Sequence, residues 1–369
     1  MYSEDSPGVN TFNYRFKGFK KPPTTKYMRN FWRSASPYIS KMTRKSIKCI
    51  HQLNFRYLKH FMKVYGDVPI FTYLGISHLT HNNSPGAQHL DSDLFDLLNH
   101  LKTTGQEQNT VLVIFGDHGD RTGPYRATMT GKLEQRLPFM SFTFPPWFPG
   151  KYPVEFINFQ RNSKVLTSHF DVYATLQHLK TFPRNEHSHK YGTSLFKDIT
   201  QMNRTCPQIG VLDHWCSCID YQEMKVDDAL VIKAAQSVIT KINKINLEFD
   251  LDSELCANLK LDQIIRAGIV APSSCVRNFI KTFKIGSCDH CGVKKGATVY
   301  KTVNYEVVFI VSPSGGQYEA TTVYDKAKGV FTPNEGISRI NLYKKQPHCI
   351  QKKFPHLRPY CYCNKQLDS

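Results

Sequence analysis

The chain has 369 residues, 40% hydrophobic and 21% charged, with a formal net charge of +18. That is an ordinary globular composition, long enough to bury a sizeable core. No run approaches the roughly 18 apolar residues of a membrane span, and the opening MYSEDSPGVNTFNYRFKG lacks the apolar core of a secretory leader. Lys and Arg are scattered with no recognition motif, which argues against nucleic acid and suits acidic glycans.

Residues 1–38 are rich in Pro, Gly and aromatics without periodicity, and read as a surface segment or packed extension. Ser40 to Tyr65 reads as an amphipathic helix through Ile47, Ile50, Phe55, Leu58 and Phe61, stopped at Gly66. Val68 to Ile76 reads as a strand that ends in a polar cluster containing His81, and Asp91 to Leu101 as a helix stopped by Gly105. Val111 to Phe115 is an unbroken apolar run, as in a strand buried on both faces of a parallel sheet. A right-handed crossover would bring His81 and the end of this strand to one rim. Leu137 to Phe144 reads as a short strand and Val165 to Leu179 as a helix.

The character changes after Asp220, giving an α/β core over 1–220 and a smaller Cys-rich α+β domain over 221–369. In the second part, Ala229 to Ile245 and Leu259 to Ile269 read as helices. Thr298 to Thr302, Tyr305 to Val311, Tyr318 to Tyr324 and Ile337 to Tyr343 read as strands. Ser312-Pro313-Ser314-Gly315-Gly316 reads as a hairpin loop. Of 11 cysteines, all but Cys49 lie from Cys206 onward. Such clustering suggests a disulfide-stapled region made in an oxidising compartment, with Cys49 left over. Cys288-Asp289-His290-Cys291 has zinc-knuckle spacing but no second ligand pair, so disulfides fit it better. The sequons at Asn82 and Asn203 are compatible with a secreted glycoprotein.

The chemistry concentrates past Phe115. Gly116 breaks the strand, and Asp117 and His118 follow where α/β sheets place their ligands. A hard carboxylate beside an imidazole suits a divalent metal such as Zn²⁺ or Mn²⁺. Arg121, Arg126 and Lys132 come next, and cations beside a metal suggest an anionic substrate.

FGDHGDRTGPYRATMTGKLEQRLP resembles the metal-binding segment of the alkaline-phosphatase and sulfatase superfamily. More narrowly it resembles the family called domain of unknown function 229. EDSPGVNTFNYRFKGF, ISHLTHN, LDSDLFDLL, SHFDVYATLQHL, YGTSLF, NRTCPQIGVLDHWCSC, GGQYEATTVYD, GISRINLY and PYCYC match in order along the whole chain. The resemblance implies part of an alkaline-phosphatase/sulfatase-like three-layer sandwich, an extracellular location, and metal-dependent hydrolysis of a phosphate or sulfate ester.

In that superfamily Asp117 and His118 match metal ligands of the second half of the site. His81 matches an anion-binding histidine, and Arg121 and Arg126 match basic positions of the family motif. The half that carries a first acidic ligand and a Ser/Thr nucleophile has no counterpart here. The expectation is therefore a truncated chain, catalytically silent by itself, that holds Zn, Mn or Ca weakly or not at all. The alternative is a non-catalytic extracellular protein that binds acidic glycans or protein partners.

Overall fold

The computed structural model describes residues 1–5, 19–42, 50–81, 84–184, 189–200, 202, 204–249, 255–272 and 301–365. Among them the protein is mixed α/β, with two two-stranded sheets and one six-stranded sheet. It divides into two compact units, one of residues 1–112 with 143–146 and one of residues 113–142 with 147–369. The junction expected at Asp220 falls inside the second unit. Cys49, Asn82, Asn203 and the Cys288–Cys291 motif lie outside the described residues.

In the first unit, strand β1 (Tyr2–Glu4) runs parallel to β2 (Tyr73–Gly75), with Tyr2 opposite Tyr73. Residues 1–5 follow the second of the two expected alternatives, a packed extension: Met1 to Asp5 are all buried. Five residues are too few to show a period, and three of them are polar, so no local pattern marks them as buried. Their polar groups are matched instead. The Ser3 hydroxyl donates to Asn54 Oδ1 at 2.6 Å and accepts from Trp32 Nε1 at 2.9 Å.

Helix α1 (Arg29–Met42) begins within the stretch expected to be irregular, and α2 (Ile50–Val64) covers the later part of the expected helix. Helix α3 (Asp91–Thr103) matches its expected span. Acidic residues occupy its first turn, and Gly105 beyond it has φ 70°. His51 Nε2 meets Asp93 Oδ2 at 2.5 Å and ties α2 to α3.

The second unit contains α4 (Met129–Arg136) and most of β3 (Leu112–Phe115) and β4 (Met140–Thr143), of which Leu112 and Thr143 are assigned to the first unit. Among the described residues strand β3 pairs only with β4, and Phe115 is exposed, so there this run is not buried on both faces as its composition suggests. Helices α5 (Phe148–Lys151), α6 (Pro153–Asn162) and α7 (His169–Thr181) follow. A reciprocal cap between Ser168 and Asp171 opens α7. The buried Asp171 carboxylate also accepts from Thr193 N and Arg204 Nη2 at 2.9 and 2.8 Å.

Then come β5 (Ile219–Met224), α8 (Ala229–Glu248), β6 (Lys260–Pro272), β7 (Thr302–Ser312), β8 (Gly316–Asp325), β9 (Val330–Pro333) and β10 (Ser338–Arg339). They form an antiparallel sheet in the order β10-β8-β7-β6-β5, with β9 also on β8. The β7–β8 hairpin turns at the expected loop, where Gly315 has φ 61°. Strand β6 replaces the helix expected over 259–269. Register shifts at Leu261/Gln263 and Ile264/Arg266 break its alternation. An extra residue at each bulge makes a period of two look like a helical period.

The faces of this sheet differ. Tyr305, Val307, Phe309 and Val311 of β7 join Tyr318 and Ala320 of β8 in a core with Val231, Ala234, Val238 and Ile242 of α8. The alternate positions carry Glu306 and Glu319, 2% and 0% exposed. Two carboxylates buried in mid-sheet require cations, and residues 126–136 supply them.

Candidate metal centre

Asp117 and His118 follow β3 directly. Gly116 N donates to Phe139 O at 2.9 Å, and Gly119 N donates to Gln135 O at 3.0 Å, so the pair is held between two backbone anchors. A Cβ on Gly119 would stand 2.3 Å from Glu134 O and 2.8 Å from Gln135 Cα. Close backbone approach, not a positive φ, therefore demands glycine there. Gly119→Ala is expected to cost about 1–3 kcal/mol and to displace both side chains. Calorimetric titration with Mn²⁺ should then show binding lost while far-UV circular dichroism is retained; unchanged binding would disprove the anchoring role.

Both side chains face solvent, Asp117 at 74% and His118 at 42% exposure, with Asp117 Oδ2 3.6 Å from His118 Nε2. The remaining donor on each is committed. Asp117 Oδ1 accepts from His118 N at 2.9 Å, and His118 Nδ1 donates to Gly119 O at 2.7 Å. A backbone carbonyl on Nδ1 leaves the Nε2 lone pair outward, as in metal-ligating histidines. A spacing of 3.6 Å can be spanned by one ion that sits about 2.0–2.2 Å from each donor. The pair fits a divalent cation. Among the described residues no third His, Asp or Glu joins it. The one triad of potential ligands there is Cys256, Cys349 and Cys361, all bound in disulfides.

The other expected site residues scatter. Arg121 is exposed on the same loop. Arg126 is turned inward. It is 2% exposed, and its fork donates to Glu319 Oε2 and Oε1 at 2.8 and 3.1 Å. Lys132 is fully buried against Glu306. Arg136 donates to Glu319 Oε1 at 2.6 Å, and Arg266 Nη1 to Glu306 Oε1 at 2.9 Å. The cations nearest the motif in sequence are thus mostly structural. Their partners lie more than 170 residues away, beyond any local pattern. A lone Glu within YEVVFIV and another within YEATTVY were the available signals.

His81 belongs to the first unit, and β2, which leads to it, is not in the sheet of β3. Among the described residues the two strands expected to share one parallel sheet belong to two separate two-stranded sheets. His81 N instead donates to Ser77 O at 2.9 Å in a turn after β2. Asp5, at the end of β1, accepts from Ser77 N and His78 N at 2.9 and 3.2 Å. Burial raises its carboxyl pKa, and these backbone donors oppose that rise. Sequence reasoning passed over Asp5 because β1 itself was not visible.

What fold and motif define is a mixed α/β protein with a solvent-facing carboxylate–imidazole pair at a strand end. The family described as Protein of unknown function (DUF229) matches residues 1–265, and the chain belongs to it. No curated protein and no solved structure matches the chain.

Proposed function

We propose that this chain carries part of the divalent-cation site of a metal-dependent hydrolase of phosphate or sulfate esters, of the alkaline-phosphatase/sulfatase type. The observation that supports it is the outward pair of donors, Asp117 Oδ2 and His118 Nε2, 3.6 Å apart with their other atoms tied to backbone. A bound Zn²⁺, Mn²⁺ or Ca²⁺ would polarise an ester oxygen there. Asp117 and His118 would hold the ion, and the Gly119 carbonyl would keep the imidazole turned toward it. Arg121, exposed on that loop, would meet an anionic group.

Catalytic zinc sites have about three protein ligands; two donors favour loose, exchangeable binding, with a Kd on the order of 1 mM, about −4 kcal/mol. Calorimetric titration should show such binding in the wild type and none in Asp117→Ala. Aryl phosphate and aryl sulfate should not be turned over by this chain alone at a rate that depends on Asp117. Metal-dependent turnover lost in Asp117→Ala would establish a complete catalytic site instead.

A second reading, a non-catalytic protein that binds acidic glycans, draws support from the net charge of +18 and from the inward commitment of Arg126. Retention on a sulfated-glycan column that weakens with salt but ignores chelators would favour it. Either reading places the protein outside the cell, in keeping with the disulfides Cys206–Cys216, Cys256–Cys361 and Cys349–Cys363. Among the described residues, no helix is long and apolar enough to cross a membrane.

A further inference from the structure

The buried face of the six-stranded sheet carries more positive charge than its carboxylates can balance. Arg126, Lys132, Arg136 and Arg266 converge on two acids, Glu306 and Glu319. The side chains of the first three are 1%, 0% and 3% exposed, and that of Arg266 is 13%. Four cations against two carboxylates leave two formal positive charges away from water. His214, whose titration responds to the same Arg136, Lys132 and Arg126, adds no negative charge.

The hydrogen bonds show the same shortfall. Arg126 Nε, Arg136 Nε and Nη1, and Arg266 Nη2 are buried donors with no hydrogen-bond acceptor. An unmet buried donor is destabilising, more so on a charged group. Aromatic faces take part of the load, Trp215 under Arg136 at 5.5 Å and Tyr221 under Arg266 at 5.3 Å. A ring face offers no full negative charge.

We propose that this cluster is a binding site for a small monovalent anion of the halide class, enclosed between residues 126–136 and the sheet. Excess charge and unmet N–H groups coincide on the same three arginines. The shape of the leftover donors selects the class. Glu319 already holds the two-pronged fork of Arg126, the group an oxyanion would seek. What remains are four nitrogen donors spread over three side chains, two of them on Arg136. A spherical ion accepts these from any direction. Such an ion would lock the 126–136 segment, and with it the Asp117–His118 loop that is anchored at Glu134 and Gln135, onto the sheet.

The test replaces gluconate by bromide at constant ionic strength with the full chain. The midpoint of thermal unfolding should rise with bromide and saturate, by about 5 °C at 100 times Kd. Arg136→Met should abolish the dependence, and Lys260→Met, on an exposed part of β6, should keep it. If Arg136→Met does not fold, anomalous diffraction from wild-type crystals grown in bromide decides, with a peak expected among Arg126, Arg136 and Arg266. No saturable shift and no peak would overturn the proposal, and so would sulfate competing in place of bromide. Because no readout involves a divalent cation, failure here is distinguishable from failure of the metal-site reading.

Discussion

Glu319→Gln is expected to destabilise the second unit by about 3–5 kcal/mol, measured by urea unfolding. The change keeps the shape and removes the charge that Arg126 and Arg136 share at 2.6–3.1 Å. Two guanidinium groups would then lie buried with no carboxylate, the costly half of a broken ion pair. A loss under 1 kcal/mol would show that water reaches the cluster.

The same carboxylate sets an acid limit. Burial would raise its pKa, but the Arg126 hydrogen bonds and the charges of Arg136, Arg126 and Lys132 overcome this and hold it at about 2, against 4.5 for a free glutamate. A depressed pKa contributes stability in full above 4.5 and loses it as pH falls toward 2, about 3 kcal/mol in all. His214 is held down to about 3, mainly by burial, so its contribution is present above 6.5 and fades from there to about 3. Acid unfolding should therefore begin near pH 6 and steepen below 4.5. In Glu319→Gln the steep lower limb should vanish.

The second large effect lies in the tail. Cys256–Cys361 spans 105 residues and Cys206–Cys216 spans 10. Loop-closure entropy assigns these about 5 and about 3 kcal/mol. Paired Cys→Ala variants remove each bond without leaving a thiol to exchange. That matters for Cys361, whose sulfur is 3.8 Å from that of Cys349. Denaturant midpoints should fall further for the long loop; the opposite order would mean that the unfolded chain retains structure around Cys256 and Cys361. Among the described residues Cys218 is the free cysteine, so thiol labelling of unreduced protein should find it.

Elements whose signals are local could be read directly. Helix α3 carries its own acidic start and glycine stop, the β7–β8 hairpin its own turn residues, and the Asp117–His118 loop its glycines. The clustered cysteines likewise announced disulfides. Elements shaped by distant partners could not be read. Strand β1 is three residues long and owes its burial to β2, Asn54 and Trp32. Strand β6 hides its alternation behind two bulges imposed by pairing with β7.

The site divides the same way. By itself the sequence determined which residue types stand after β3, and hence that a cation-binding pair could form there, because Asp117, His118 and Gly119 are neighbours in the chain. Only the tertiary structure decided what the cations beyond them do. Arg126 and Lys132 resemble anion-binding groups until Glu319 and Glu306 are brought against them. The physical reason is dielectric. An arginine in water is available to a substrate, but one enclosed with a carboxylate at 2.8 Å is not. Enclosure depends on chain far away in sequence.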